Sequence, residues 1–491
     1  MLLCGVLFVV QYMNTSFYIA IVAMVQFHPD HIFSIHHREN ETSDFDDFLA
    51  EFDDGVPHLH EDNSTIIGSF TWPAFAEGIV RSSLSWGRLL TPLAGILVDR
   101  FNVKLILSLA VALAGVSTAV IPLSAHVAFY LVTLMRVLTG LADAFIQPAT
   151  NRLISTWFPS SERNRALSVI SGGRQMAVII GYPLAGWLCS IDHQFGGWPM
   201  VFYTAGVFGA VWLPLWIFFG HHNPRHMRQV TQKEMAILEK CQKRQDNGRK
   251  IKRAIPWRLM LSSAPFWSTI GAVLCHEIPI LIVFQFLPQY SQHVLHFDIK
   301  ENGALSGLPA ASFLITKLSA AYLSNWLQQR FPKINRTVAA KIINSIACLG
   351  LGAMLIAVSF MNCTCRFWAI GCIIGAIAFA GFHTPGAIGT LVTIAPNFTG
   401  TITSISFFLI GIAALITPIG AKLLVTTGEF WQWQILFQIA GSVALLPLTF
   451  FNIWGSAKVQ PWNDSQIIVD NKCPKKLPPT NEKYTGITNV V

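Results

Sequence analysis

Apolar residues in this chain gather in long blocks separated by short polar stretches. Twelve such blocks stand out, at about 2–25, 73–98, 103–124, 127–156, 166–190, 199–220, 264–290, 303–327, 338–360, 366–391, 400–426 and 432–454. Each is near the 20 or so residues that a helix needs to cross the hydrocarbon core of a bilayer. The pattern predicts an all-α membrane protein of twelve transmembrane helices in two six-helix bundles. The polar stretch 221–263 divides the spans six and six. The first block is too long for the apolar region of a signal peptide, and no small-residue cleavage pattern follows it.

Charge in the loops sets an expected orientation. The loop 27–72 holds one basic residue, Arg38, and eleven acids, whereas 221–263 holds eleven Lys and Arg. Basic loops stay on the cytoplasmic side. The expected organisation is therefore a first bundle at 1–220 with an acidic outer loop at 27–72, a basic cytoplasmic linker at 221–263, a second bundle at 264–454 and a cytoplasmic tail at 455–491. Both termini are then cytoplasmic. Asn40, Asn63 and Asn362 begin sequons on the outer side and are the expected glycan sites. Asn335 and Asn397 also begin sequons but fall on cytoplasmic turns. Within the linker, Thr231-Gln232-Lys233-Glu234 is a capping box that opens a short surface helix.

Composition agrees with the block pattern. The chain of 491 residues is 52% hydrophobic and only 12% charged, with mean hydropathy +0.48. A soluble protein carries about 25% charged residues. The net charge of +8 is divided by location and does not imply nucleic acid. The nine Cys are scattered without zinc-type spacing, so no metal site is expected. No Ser/His/Asp constellation or phosphate loop lies in the aqueous segments, so no enzyme activity or cofactor is expected.

The informative residues are the charges inside the apolar blocks, because each costs about 2.5–3.5 kcal/mol or more at membrane depth. Arg136 and Asp143 share one stripe of the fourth span with Gly140 between them. The helical rise separates them by about 10 Å, so each must find partners on other helices or line water. Two readings stand: structural bridges between helices, or a transport site. Arg88 lies about 16 Å from the inner surface, near the midplane, and is a candidate substrate contact. Arg81 reads as an outer-vestibule charge with Glu77 four residues earlier as a surface partner. Arg174 follows Gly172-Gly173 in the fifth span as a further candidate. In the second half, His276 and Glu277 lie well inside the seventh span and are candidates for ion coupling, or for a packed polar contact. Lys317 in the eighth span either anchors an anion or neutralises Glu277. His383, beside Thr384-Pro385-Gly386 in the tenth span, sits where the helix breaks or only kinks.

Two six-span halves around a basic loop resemble the major facilitator superfamily. The run Gly95-Ile96-Leu97-Val98-Asp99-Arg100-Phe101-Asn102-Val103-Lys104 is similar to its G-x-x-x-D-R-x-G-x-K signature. The resemblance implies that Gly95 permits close helix approach and that Asp99 and Arg100 act as a conformational gate at the inner surface. The matching stretch of the second half, Ala320 to Leu327, lacks the acid, so the gate is one-sided. Arg136-x3-Gly140-x7-Pro148-Ala149, Trp157-x-Pro159-x2-Glu162-Arg163, Pro183-Leu184-Ala185-Gly186, Ile394-Ala395-Pro396 and Gln460-Pro461-Trp462 narrow it further. They are similar to the anion-transporter family of sialin, the type-I sodium–phosphate cotransporters and the vesicular glutamate transporters.

That resemblance implies a secondary active transporter moving organic or inorganic anions by alternating access, coupled to protons or sodium, in a plasma, lysosomal or vesicular membrane. In that family the Arg of the fourth span matches Arg136 and the acid seven residues later matches Asp143. With the interior charges, the expected substrate-binding residues are Arg136, Arg88, Lys317 and His276, the expected ion-coupling residues are Asp143, Glu277 and His276, and a monomer is expected. Asn14 and His276 stand where family members carry Arg, which counts against glutamate. The competing reading is a facilitator-fold ligand sensor or scaffold that does not transport. The several interior charges and the modest linker favour transport.

Overall fold

In lipid a segment must satisfy its own backbone, and a helix does so within itself. The computed structural model describes residues 1–25, 70–158, 163–191, 197–221, 255–331, 335–395 and 398–464. Its spans are Leu2–Met24, Ala74–Arg88 with Thr91–Arg100, Val103–Val127, Phe129–Trp157, Arg163–Cys189, Trp198–Phe219, Ala264–His293, Ile299–Arg330, Arg336–Val358, Arg366–Gly381 with Gly389–Thr393, Thr399–Leu424, and Phe430–Leu445 with Pro447–Trp454. They form the expected twelve-helix, two-bundle fold.

Nine helices among the described residues are long and apolar enough to cross a membrane by composition alone. The second, fifth and eighth spans fall short. These three carry Glu77, Arg81, Arg88, Arg174 and Lys317. All three lie at the seam between the bundles, where the second packs against the eleventh and the fifth against the eighth.

Three spans are interrupted: the second and the twelfth, both expected to be continuous, and the tenth, where a break or a kink was left open. The second stops at Arg88 and restarts at Thr91 with Pro92 in its first turn. Proline has no N–H to give, and Thr91 Oγ1 donates to the Arg88 carbonyl at 2.6 Å. The tenth span passes through a π turn at Thr384–Ile388, in which Gly386 has non-helical torsions (φ −78°, ψ −110°).

The halves repeat one another in detail. Lys104, in the first turn of the third span, donates to the Ile217 carbonyl near the end of the sixth at 2.7 Å. Lys341, in the first turns of the ninth, donates to the Asn452 carbonyl near the end of the twelfth at 2.7 Å. A cation at a helix C-terminus satisfies a carbonyl that the helix leaves free.

The bundles close on one another at the end where the first span finishes, at Met24. There Gly186 of the fifth span meets Gly303 of the eighth, and a Cβ built on Gly186 would lie 2.8 Å from the Gly303 Cα. Only glycine permits that approach. Tyr182 Oη donates to the Phe284 carbonyl at 2.7 Å beside it. At the opposite end Leu97, Tyr322, Leu323 and Trp326 are exposed. A Cβ built on Gly95 would meet nothing within 4 Å. The close approach expected at Gly95 is therefore absent in this conformation, because the bundles are apart at that end. Arg100 is exposed there.

Candidate functional site

The site begins at the break in the second span. Gly87 and Gly140 let the second and fourth spans touch backbone to backbone. A Cβ on Gly140 would lie 2.0 Å from the Leu84 carbonyl oxygen, and one on Gly87 2.2 Å from the Leu141 nitrogen. This contact brings Arg88, the last residue before the break, onto Asp143, one turn beyond Gly140. Arg88 Nε donates to Asp143 Oδ2 at 2.6 Å. Arg174 of the fifth span donates through Nη2 to Asp143 Oδ1 at 3.2 Å and through Nη1 to Gln11 Oε1 at 3.0 Å. The Asp143 side chain is 5% exposed, but Arg88 keeps 36% and Arg174 22% of theirs. Two guanidiniums thus share one carboxylate, leaving an excess positive charge with donors open to solvent.

Arg136 is more extreme. It is fully buried, with its Cζ 3.9 Å from the Phe17 ring centroid and Nη1 donating to the Asn14 carbonyl at 3.4 Å. Its Nε and Nη2 have no partner, and neither do Nδ2 and Oδ1 of Asn14. A desolvated cation–π contact contributes only about 2 kcal/mol. That falls short of the several kcal/mol that it costs to desolvate an ion. Buried polar atoms without partners mark a place that something else completes.

The acidic partner of Arg81 is the one expected, but the setting is not. Arg81 is buried at the closed end, not exposed in a vestibule. Its Nε donates to Glu77 Oε1 at 2.8 Å, and Nη1 reaches across to the Gln285 carbonyl of the seventh span at 2.7 Å. Glu77 Oε2 meets Lys422 Nζ of the eleventh span at 2.5 Å. The triad joins the two bundles. Lys422 escaped the sequence reading because a lysine in the last turn of a span reads as an interfacial anchor. Gln11 carried no signal at all.

In the second half, His276 is buried against His383 of the tenth span, with ring centroids 3.8 Å apart and planes 17° from parallel. Glu277 and Lys317 are half-buried, and the Lys317 Nζ lies 5.8 Å from the Phe313 ring centroid. The structure thus brings Arg88 and Asp143 together with Arg174, and keeps Arg136, His276, Glu277 and Lys317 outside that ion-pair cluster. Asn362 is exposed, as are the free thiols of Cys363 and Cys365 beside it. Asn40, Asn63 and the linker capping box lie outside the described residues, as does the side chain of Asp99.

A family model described as the Major Facilitator Superfamily matches residues 3–418. A provisionally named inorganic phosphate cotransporter of Drosophila melanogaster is 28% identical over 461 residues, covering 92% of this chain and 83% of that protein. Sialin of Ovis aries is 26% identical over 394 residues, covering 80% of this chain and 78% of that protein. Among solved structures, a bacterial homolog of the human lysosomal transporter Spinster, inward-facing and occupied, aligns with TM-score 0.64 at 14% identity. That alignment covers 94% of this chain and 97% of that one, and it shows the fold alone.

Proposed function

The chain belongs to the Major Facilitator Superfamily, and from that premise we propose that it carries small anions across a membrane by alternating access, as a secondary active transporter. The observation that carries this reading is the pair of partly open guanidiniums, Arg88 and Arg174, sharing the one carboxylate of Asp143. Relatives named as a phosphate cotransporter and as sialin support an oxyanion, either inorganic phosphate or the carboxylate of a sugar acid. The guanidinium fork matches both groups in two-point hydrogen bonds.

An anion arriving from the open end competes with Asp143 for Arg88 and Arg174. Once displaced, the carboxylate stands unpaired at membrane depth, and binding a proton neutralises it. Anion and proton are in this way taken up together. Arg136, buried behind the site, adds fixed positive charge that favours an anion there.

The charge of the loops supports a cytoplasmic linker and cytoplasmic termini. The closed end then faces outward, and the conformation is inward-open with Glu77, Arg81 and Lys422 as the outer latch. Gly95, Asp99 and Arg100 would form the opposing gate once the inner ends meet. Each chain holds a whole site, which supports a working monomer.

Uptake of radiolabelled phosphate and sialic acid into proteoliposomes tests the reading, with proton, sodium and electrical gradients imposed one at a time. Proton-driven uptake of either anion is expected. Sodium-driven uptake indifferent to a proton gradient would replace the coupling ion, and no anion uptake under any gradient would overturn the reading.

A further inference from the structure

The stacked imidazoles of the second bundle lie outside the anion site. His383 is wholly buried, and neither of its ring nitrogens has a partner. His276 is 3% exposed. A buried imidazole ordinarily settles with a hydrogen bond on at least one nitrogen. Here the rings meet face to face, 3.8 Å apart. His383 also immediately precedes the π turn Thr384–Ile388, where the tenth span loses its helical torsions at Gly386. A Cβ on Gly386 would lie 3.1 Å from the Asn344 Cβ, so the turn rests against the ninth span. Of the charged and titratable groups on the surrounding spans, Lys317 of the eighth lies near His276, Cys275 and Glu277 flank His276 in the seventh, and Cys348 of the ninth lies near Cys275.

We propose that His276 and His383 together form a proton-binding site that holds one proton per pair and moves the broken tenth span when it fills. The inference rests on the transport reading above and gives that transporter a second, separate coupling site. In the step itself, a proton from water bonds to an imidazole nitrogen lone pair, and no protein bond breaks. A second proton would set two cations face to face with Lys317 near them, so the pair stops at one. An imidazolium cannot stay in this dry stack. It turns toward water or the Glu277 carboxylate, and the unwound turn beside His383 lets the backbone follow. The short helix Gly389–Thr393 beyond the turn then swings relative to Arg366–Gly381, a hinge of the kind that domain closure uses.

His383→Phe keeps a stacked ring and removes the proton acceptor. The full-length variant and the wild type are reconstituted and compared with radiolabelled phosphate and sialic acid, in exchange without a gradient and in accumulation against an imposed inside-alkaline gradient. The variant should exchange within about twofold of wild type while its gradient-driven accumulation falls at least about tenfold. Accumulation equal to wild type overturns the proposal. Absence of exchange in the wild type would count instead against the transport reading, so a second measurement is independent of any substrate. Proton uptake by the solubilised protein, titrated with an indicator dye from about pH 8 to about pH 5, should be one proton smaller in H276F/H383F than in wild type. A difference of none or of two overturns the proposal.

Discussion

Glu77→Gln should open the outer latch. In the closed state Glu77 is the acid between Arg81 and Lys422, and the three residues are 6%, 1% and 2% exposed. Gln has the same shape but leaves two buried cations beside each other with no carboxylate. Removing one member of a buried ion pair costs about 3–5 kcal/mol. Burial this deep leaves little solvent to screen it. Each 1.4 kcal/mol is about tenfold, so the ratio of closed to open should fall roughly 140- to 3,700-fold. The assay is thiol accessibility. Ser85 is 5% exposed on the second span, and its Oγ donates to the Ala414 carbonyl of the eleventh at 3.2 Å. Ser85→Cys is therefore shielded while the latch holds. Cys363 and Cys365 are exposed and are first replaced by Ser. An impermeant maleimide added from the side of the first loop should label position 85 far faster in the Glu77→Gln background. Equal labelling rates, with both proteins folded, would refute the latch.

Three further outcomes follow from the same geometry. Asp143→Asn leaves Arg88 and Arg174 without their shared carboxylate, so phosphate or sialic acid should bind about tenfold tighter by equilibrium dialysis, while proton-driven accumulation is lost. Arg136→Met replaces a buried, unpaired cation with an apolar chain and should raise the anion-free melting temperature by a few degrees, about 1–3 kcal/mol; the same variant should lose the added stability that wild type gains from saturating anion. Asn362→Gln, expressed in a cell that glycosylates, should run faster on a gel by one glycan, and an unchanged mobility before and after glycosidase treatment would count against an outward position for that loop.

Much of the fold was legible because bilayer thickness sets the block length, and no comparable rule exists for which helices touch. Arg136, Asp143 and Arg88 stood out as charges inside apolar runs. The partners of Asp143 did not, because spacing along one helix says nothing about what a second helix brings. Gly140 between Arg136 and Asp143 was the nearest hint, since it is the position at which the fourth span admits the second. Arg174 was visible as an odd cation in the fifth span, yet only the folded chain places it on the same carboxylate as Arg88. Pro92 signalled the break after Arg88 but lies in a run apolar enough to read as one helix. Arg81 was misread in its setting: i to i+4 spacing identifies Glu77, whereas the burial comes from the seventh and eleventh spans closing over the pair. For His383 the sequence Thr384-Pro385-Gly386 left a break or a kink open, and only the fold shows the break and His276 lying flat against His383.

The central claim is that Arg88 and Arg174 hold the transported anion in place of Asp143, and Arg174→Gln tests it most directly. Gln keeps a donor for Gln11 but removes the fork and the charge. With phosphate or sialic acid as substrate, initial uptake into proteoliposomes at limiting concentration should fall by about two orders of magnitude, as expected for losing a charge-assisted hydrogen bond to an anion. Asp143→Asn in the same membranes should keep exchange. Wild-type uptake by the Arg174→Gln protein, at equal protein density and with the same concentration dependence, would contradict the account.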